Sequence, residues 1–367
     1  MGKVSIVKTN LGIKPALIKS IELIGGLEKY LKHTDKIMLK PNINGTEGIT
    51  SLDLTESIIQ LLNDFGVKEI LIAEAAFGPP HLTDTFFHKT GYTGLAKKYG
   101  LKLLNLNKSA VKQVAVKTPL SLETINLAQE VFAVDTIINI PVMKVHYATG
   151  ITLSLKNLKG LLVGDEKRHF HEIGLDKAIV DLNNTIPPTL NIIDCISGME
   201  KMGPRGGDMV QLDFIMAGGD RAEIDYLGTR IMGYTLDEVK HLKYFLDSHP
   251  INLDAIEIVG ETIDQVKYPF KKAKLEAIIP KRFRHHEKDA CSTCMNALLL
   301  SYQFLEKEAD HDIDIYLGSI LVDPELGKGI KIGFGNCCYK NLRDKMPFDK
   351  FIRGCPPYPF DLKKALE

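Results

Sequence analysis

The chain has 367 residues, of which 44% are hydrophobic and 25% are charged, and a length of this order predicts about two domains. Its 46 Lys and Arg residues balance 46 Asp and Glu residues, which argues against a nucleic-acid-binding protein because polyanions bind to surplus, clustered positive charge. The sequence contains neither a bilayer-spanning apolar run nor a signal-peptide pattern, so we expect a cytoplasmic protein that does not bind membranes.

The first two-thirds of the chain alternate between strand-like and helix-like segments. Strands are predicted at Lys3 to Thr9, Lys36 to Ile43, Val67 to Ala75, Leu101 to Leu106, Thr136 to Val142, Leu190 to Ile196 and Gln211 to Ala217. Helices are predicted at Lys14 to Leu31, Asp53 to Phe65, Thr93 to Tyr99, Asp176 to Ile186, Ala222 to Met232 and Leu236 to Asp247. Short apolar strands between amphipathic helices are typical of a mostly parallel sheet with helices on both faces. We therefore predict an α/β domain over residues 1–262, with a hairpin between Val111 and Gln129.

Residues 263–367 differ from this pattern because they contain five of the six cysteines. Clustered cysteines in a chain of this size indicate metal binding in a reducing compartment, whereas disulfide scaffolds are usually short and secreted. We predict a C-terminal iron–sulfur region that packs against the α/β domain. Cys195 lies outside this region, and we expect it to be a buried packing residue.

Polar side chains follow four of the predicted strands. In open α/β sheets, ligands bind beyond the carboxyl ends of the strands, so we expect these side chains to share one rim. The candidates are Lys40, Asn42, Asn44, Glu74, Lys144, His146, Asp194 and Arg205. The segment from Leu153 to Gly160 adds Lys156, Asn157 and Lys159. If this segment is helical, Lys156 and Lys159 share a face.

This set predicts a binding site for a small anionic ligand, because Lys, Arg and Asn donate hydrogen bonds to oxyanions. His146 is the preferred acid–base catalyst, and Lys144 is the second candidate catalytic residue. The alternative is that the lysines are solvated, that Asp194 caps a turn and that His146 is a structural hydrogen-bonding residue. The glycine motifs of dinucleotide and P-loop sites are not found, so we predict neither kind of site.

The cysteines of the last quarter have spacings that suit a metal centre. Cys291 and Cys294 form a C-x-x-C motif, and Cys355 is followed by proline. Four thiolates would complete a 4Fe–4S cluster or a Cys₄ zinc site, and the proline and the single C-x-x-C favour the cluster. Structural or redox-active thiols are the third alternative. The predicted ligands are Cys291, Cys294, Cys337 and Cys355, with Cys338 as the reserve for Cys337.

Several motifs occur in the order found in a known family. Lys40-Pro41-Asn42, the stretch from Ile137 to His146 and the stretch from Thr152 to Gly160 resemble the domain-of-unknown-function family 362. The strand of Asp194 and the Gly203-Pro204 loop fit as well, so that the resemblance covers residues 1 to 262 approximately. Many members of this family carry an iron–sulfur module, and the resemblance therefore implies one here.

The C-terminal cysteines depart from the compact four-cysteine runs that are common in that family. The ending Gly354-Cys355-Pro356-Pro357 instead looks like the cluster-binding subunits of hydrogenases and quinone reductases. A remote likeness to the lactate racemase superfamily would imply an α/β scaffold for hydroxy-acid chemistry. The metal-cofactor residues of that superfamily cannot be assigned to positions in this chain.

The leading hypothesis is a cytosolic 4Fe–4S protein, an oxidoreductase or electron-transfer protein with an anion-binding cleft at the strand ends. Its expected partner is a small anionic substrate or a redox partner protein, and a homodimer is compatible with the sequence. One alternative is a non-redox lyase, isomerase or desulfurase in which an open cluster iron acts as a Lewis acid. The other is a non-enzymatic electron carrier or regulator.

Overall fold

The computed structural model describes residues 2–187, 189–274, 278–288, 290–302, 304–305, 309–318 and 328–367. The chain divides into two compact units, Met1–Ala273 and Lys274–Glu367. The first unit extends past residue 262, where the sequence predicts the domain boundary. Val266 and Phe270 explain the extension, because both side chains are buried in the core of the first unit.

The first unit contains strands and helices along its whole length. Its first half comprises β1 (Lys3–Lys8), α1 (Ile13–Leu23), β2 (Lys36–Pro41), α2 (Leu52–Phe65), β3 (Glu69–Glu74), α3 (Pro80–Lys89), α4 (Tyr92–Tyr99), β4 (Lys102–Asn105), β5 (Val111–Ala115) and β6 (Thr124–Ala128). Its second half comprises β7 (Thr136–Ile140), β8 (Val142–His146), β9 (Gly150–Thr152), α5 (Ser154–Asn157), α6 (Glu166–Ile173), α7 (Leu175–Asn183), β10 (Thr189–Glu200), β11 (Asp208–Gly218), α8 (Arg221–Ile231), α9 (Lys240–Ser248), β12 (Glu257–Gly260) and α10 (Ile263–Val266).

One large sheet organises this unit. Its strands follow the order β12-β1-β11-β10-β7-β2-β3-β4, with β8 paired to β10 and β9 paired to β8. The run β10-β7-β2-β3-β4 is parallel, whereas the long strand β11 is antiparallel to both of its neighbours. The prediction of an α/β fold with a mostly parallel sheet is therefore confirmed, and β5 and β6 form the predicted hairpin.

Two apolar cores lie on opposite faces of the sheet. Leu39 of β2 belongs to one core together with Leu54 of α2. Its neighbour Met38 belongs to the other core together with Ile179 of α7. Successive side chains of a strand point to opposite faces, so a strand that is apolar at every position requires cover on both sides. This arrangement leaves the strand ends as the place where polar side chains meet.

The helices differ from the predicted ones mainly in length. The prediction of one helix from Lys14 to Leu31 is wrong, because α1 ends at Leu23 and is followed by Gly25 and Gly26 with φ of 110° and 82°. Helix α2 has the predicted bounds within a residue, since the Ser51 side chain caps its first turn by accepting from Leu54 N. Among the described residues, no helix has both the length and the apolar content that crossing a bilayer requires.

The second unit is also built from parallel strands and helices, which the sequence reading does not predict. It contains β13 (Phe283–Lys288), α11 (Ser292–Tyr302), β14 (Ile313–Gly318), β15 (Ile330–Phe334), α12 (Asn336–Leu342), β16 (Lys350–Ile352) and α13 (Phe360–Leu366). Its four described strands are parallel and pair in the order β13-β14-β15-β16. Their carboxyl ends therefore share one edge. The predicted packing of this region against the α/β domain stays a prediction.

Candidate functional site

A buried ion pair joins the carboxyl ends of β2 and β3. Lys40 Nζ donates to Glu74 Oε2 at 2.7 Å, and the two side chains are 0% and 4% exposed. The carboxylate of Glu74 also accepts the backbone N–H groups of Ile43 and Ala75. A Cβ on Gly160 would lie 1.9 Å from Glu74 Oε1, so the pair requires glycine at this position. Burial lowers the pKa of Lys40, and the charge of Glu74 opposes that shift.

A series of buried amides, which we call the asparagine chain, crosses the sheet beside this ion pair. Lys144 Nζ donates to Asn42 Oδ1 at 2.7 Å, and Asn42 Nδ2 donates to Asn157 Oδ1 at 2.7 Å. Asn157 Nδ2 donates to Asn139 Oδ1 at 2.8 Å, and Asn139 Nδ2 donates to Asn191 Oδ1 at 3.0 Å. Each amide thus satisfies its neighbour, and the chain links β2, β7 and β10, which are adjacent in the sheet.

Two of the predicted rim residues, Arg205 and Asp194, bond to the segment between β2 and α2. The Arg205 guanidinium donates from Nε to the Asn44 carbonyl at 2.7 Å and from Nη2 to Asn44 Oδ1 at 3.0 Å. The Asp194 carboxylate accepts the Ser51 N–H at 2.6 Å, directly at the start of α2, and the Ile196 N–H at 3.0 Å. Burial raises the pKa of Asp194 to about 6. This geometry matches the alternative in which Asp194 caps a local turn.

A second group of basic side chains, which we call the lysine site, lies next to these residues. Its members are Lys144 and His146 of β8, Lys156 of α5, Lys159 of the 3₁₀ turn Leu158–Leu161, and Lys167 and His171 of α6. The hydrogen-bond partners described for its lysines are neutral groups. Lys144 donates to Gly48 O and Asn42 Oδ1, and Lys156 donates to Thr152 Oγ1. Lys167 donates to Asn107 Oδ1 and Leu162 O. Lys159 Nζ lies 3.0 Å from His171 Nε2.

Burial and mutual repulsion weaken the basicity of this site. Burial lowers the pKa of Lys144, Lys159 and Lys167 to about 7, and in each case a neighbouring cation adds to the effect. Burial and the charge of Lys159 hold the pKa of Lys156 well below its usual range. The charges of Lys40 and Glu74 also act on Lys167, which places the ion pair beside the site. Concentrated, desolvated positive charge is the environment that a bound anion would stabilise.

His146 is neutral in this environment. Burial, followed by the charges of Lys156 and Lys159, lowers the pKa of His146 well below its usual value. The backbone N–H of Ala148 donates to His146 Nδ1 at 3.2 Å, and an N–H group can only donate, so the ring proton resides on Nε2. His146 therefore offers an Nε2–H donor. In this tautomer it suits polarisation of a ligand oxygen better than proton abstraction.

Asp225 of α8 positions the segment that carries Lys156 and Lys159. Its carboxylate accepts the backbone N–H groups of Ser154 at 2.7 Å and Leu155 at 2.8 Å, which are the first residues of α5. The side chain is fully buried, and burial raises the pKa of Asp225 to about 7. A carboxylate at the start of a helix stabilises its orphan N–H groups. Lys156 lies in α5, whereas Lys159 lies in the 3₁₀ turn that follows it.

The structure brings together most of the predicted rim and adds residues that sequence reasoning missed. Lys144, His146, Lys156 and Lys159 influence one another's pKa values, which confirms that they are neighbours. The missed residues are Asn139, Asn191, Lys167, His171 and Asp225. Asn139 and Asn191 carry a usable signal, because each is a lone amide inside an otherwise apolar strand. The others stand on amphipathic helices, where polar residues carry no signal.

The four predicted cluster ligands lie at the carboxyl edge of the second sheet. Cys291 and Cys294 follow β13 at the start of α11, Cys337 follows β15 in the first turn of α12, and Cys355 follows β16. The side chains of Cys291 and Cys294 are hydrogen-bonded to each other, and the charges of Cys337 and Cys355 both act on Cys294. Three distant stretches of sequence thus converge on one place.

This arrangement fits a cysteine-bound cluster. Gly335 has φ of 99°, and a Cβ there would lie 3.1 Å from Cys294 Sγ, so glycine leaves space beside the thiol. Backbone N–H groups at helix starts favour thiolate ligands. The geometry distinguishes Cys337 from Cys338, because Cys337 is exposed whereas Cys338 packs in an apolar core with Tyr316. Burial raises the pKa of the Cys338 thiol to about 12.

Cys195 does not belong to either site. It is 0% exposed in the core of the first unit, where burial raises the pKa of its thiol well above the usual value. Such a thiol is a packing residue, as the sequence predicts.

The first unit belongs to the class of α/β proteins with a mostly parallel sheet. A buried cluster of lysines and asparagines lies at the ends of its strands. The chain belongs to the family described as "Domain of unknown function (DUF362)", whose sequence pattern matches residues 37–230. It is also similar to the "Thylakoid-associated protein sll1697" of Synechocystis sp., with 27% identity over 223 residues that cover 58% of this chain and 67% of that protein. The family resemblance is therefore confirmed. The matched range includes the whole lysine site, whereas the clustered cysteines lie after it.

Proposed function

We propose that the first unit binds a small, multiply charged oxyanion at the lysine site and acts on it as an enzyme. The observation that carries this proposal is that Lys144, Lys156 and Lys167 are buried with neutral hydrogen-bond partners. Burying uncompensated ammonium groups costs several kcal/mol per ion. An anionic ligand would offset this cost and would receive charge-assisted hydrogen bonds. The Nε2–H of His146 would donate to a ligand oxygen in the same place.

Replacing Lys156 with methionine tests this proposal through two opposite effects. We expect the affinity for inorganic phosphate or oxalate, measured by isothermal titration calorimetry, to fall about ten- to a hundredfold, because a charge-assisted hydrogen bond is lost. The free energy of unfolding of the ligand-free protein should rise, because a buried charge is removed.

Lys177→Met is the matched control, since Lys177 is an exposed lysine on α7. It should leave both quantities unchanged. The proposal fails if the unaltered protein binds neither anion, or if Lys156→Met binds them as well as the unaltered protein does.

We further propose that the second unit holds a 4Fe–4S cluster through Cys291, Cys294, Cys337 and Cys355, which would make the protein an iron–sulfur oxidoreductase. The convergence of these thiols at one sheet edge supports this assignment. A bound cluster would supply one-electron transfer. The residues of this chain would hold it at the start of α11, where the side chain of Cys294 and backbone N–H groups lower the pKa of Cys291 and favour its thiolate form. A cytoplasmic location and a small-anion or protein redox partner remain predictions.

Adjacent cysteines provide a matched test of this assignment. We expect anaerobically purified protein to contain iron and acid-labile sulfide, and Cys337→Ala to lose most of both because a ligand thiolate is removed. Cys338→Ala should keep its iron, since Cys338 packs in the core. Iron and sulfide analysis with electron paramagnetic resonance measures the result. Equal iron contents in the two variants, or iron-free unaltered protein, would contradict the assignment.

A further inference from the structure

Lys159 differs from the other lysines around it in its hydrogen-bond partner. Lys40 is paired with a carboxylate, and Lys144 and Lys167 donate to amide and carbonyl oxygens. Lys159 Nζ instead lies 3.0 Å from His171 Nε2, a second basic group. Lys159 is also the one lysine of the site, within the described residues, that is not classed as buried. Lys159 is thus the least buried lysine of the site as a whole residue.

A hydrogen bond between an amine and an imidazole requires that one of the two nitrogens present a lone pair. Two fully protonated groups would have no acceptor at this contact and would repel each other. Burial and the charge of Lys159 hold the pKa of His171 well below its usual value, and burial with the charge of Lys167 lowers the pKa of Lys159 to about 7. A large fraction of Lys159 is therefore free amine at neutral pH, in contrast to an ordinary lysine.

We propose that Lys159 is an amine nucleophile that forms an imine with the carbonyl carbon of a small anionic aldehyde or keto acid. The inference rests on the proposed function and narrows its ligand class. Three features of the geometry support it, namely the His171 contact, the partial exposure of Lys159 and the cations Lys156 and Lys167 close by. A free amine in a desolvated, cationic setting is the arrangement in which lysine acts as a nucleophile.

The step takes up one proton from solvent. The lone pair of Lys159 Nζ forms a bond to the carbonyl carbon as the C=O π bond breaks, and a proton passes from Nζ to the oxygen to give a neutral carbinolamine. A proton from water then adds to the hydroxyl group, the C–O bond breaks, water leaves, and the nitrogen lone pair completes a protonated imine. His171 Nε2 is placed to move a proton at Nζ, and the Nε2–H of His146 would polarise the carbonyl oxygen.

The charge balance explains why the carbonyl compound should be an anion. Imine formation converts a neutral amine into a cation inside a site that already holds several cations, which by itself is unfavourable. A carboxylate on the same ligand, held by Lys156, would compensate the new charge. A neutral ketone of similar size would lack this compensation and should react poorly.

Reductive trapping tests the proposal on the full chain. The protein is incubated with pyruvate or glyoxylate and sodium cyanoborohydride, and adducts are located by peptide mass spectrometry. We expect labelling of Lys159 at least about tenfold faster at neutral pH than of exposed lysines, because the free-amine fraction is larger. The rate at Lys159 should level off near pH 7, whereas labelling of exposed lysines should continue to rise. Acetone should give little adduct.

Variants separate this proposal from the anion-binding proposal. Lys159→Arg should lose the adduct, because the nucleophile is removed. Lys177→Arg, at an exposed site outside the lysine site, should retain both the adduct and phosphate binding. The amine proposal is overturned if Lys159 is labelled no faster than exposed lysines in the unaltered protein, or if Lys159→Arg still forms the site-specific adduct. If phosphate does not bind to the unaltered protein, the anion-binding proposal fails independently of the labelling result.

Discussion

Replacing Glu74 with glutamine should lower the free energy of unfolding by about 3–5 kcal/mol, because it leaves the Lys40 ammonium buried without a counter-charge. The Lys40 side chain is 0% exposed, so water cannot take over the role of the carboxylate. The NH₂ group of the amide would also face a donor, either the Ala75 N–H or the Ile43 N–H, because these groups now donate to the two different oxygens of Glu74. Urea denaturation followed by circular dichroism measures the loss.

Glu69→Gln provides a control on the same pair of strands. Lys36 and Glu69 also link β2 to β3, but their side chains are 30% and 50% exposed, and such surface pairs contribute about 1 kcal/mol or less. The double variant Lys40→Met with Glu74→Gln should recover much of the stability lost in Glu74→Gln, because no charge remains to be desolvated. A loss in Glu74→Gln no larger than that in Glu69→Gln would refute the argument.

Between about pH 4 and pH 7, Asp225 should make the protein less stable as the pH rises. The pKa of Asp225 in the folded protein is about 7, against about 3.9 for an aspartate in an unfolded chain. The folded state therefore binds more protons in this window, and the stability contributed by the protonated carboxyl is lost as the pH rises through the folded pKa. At about 1.4 kcal/mol per pKa unit, the loss amounts to about 4 kcal/mol.

The test compares the pH dependence of unfolding in the unaltered protein and in Asp225→Asn, which cannot ionise at this position. The stability of the variant should fall less between about pH 4 and pH 7. Asp194, whose pKa is raised to about 6, acts in the same direction and cancels in the comparison. Asp64→Asn, at a 70% exposed site, should follow the unaltered protein. Parallel curves for the unaltered protein and Asp225→Asn would contradict the assignment.

Most of the site in the first unit could be predicted from the sequence, because the topology of a parallel sheet brings the residues that follow its strands together. Carboxyl ends of parallel strands meet at one edge, so residues that follow apolar strands become neighbours whatever their separation along the chain. This rule predicts Lys40, Asn42 and Lys144 as site residues. In the structure, the asparagine chain and the adjoining ion pair connect them. Asp194 obeys the same rule, yet its carboxylate serves the start of α2 instead of the lysine site.

The remaining site residues come from helices, where the rule does not apply. Lys167 and His171 are four residues apart on α6, a spacing that places them on one helix face but does not identify what that face meets. Asp225 lies on α8 and contacts α5, about 70 residues earlier, chiefly by accepting backbone N–H groups. Contacts between side chains and distant backbone leave no pattern in a single sequence, so such residues become visible only in three dimensions.

The second unit illustrates a different case, in which the sequence groups the cysteines but does not predict the scaffold that carries them. The cysteine spacing indicated a metal centre, and the structure places the four thiols at one sheet edge. The four short parallel strands were missed because β13 carries basic residues such as Arg284 and His286, which resemble a solvated loop. Arg284 and His286 both contact the buried carboxylate of Asp314 on the neighbouring strand, which accounts for charged residues inside a strand.

The asparagine chain gives Lys144 an electrostatic support that no single residue could supply. Every amide in it turns its oxygen toward the ammonium group and its NH₂ group away, from Asn42 through Asn157 and Asn139 to Asn191. The four local dipoles therefore point head to tail, much as peptide units do along a helix axis, and their negative ends accumulate at Nζ. Rotating any one amide by half a turn would bring hydrogen against hydrogen at the next link. The line thus holds one polarity and favours a cation at Lys144 through a neutral hydrogen-bond acceptor, which adds to the charge of Glu74 nearby.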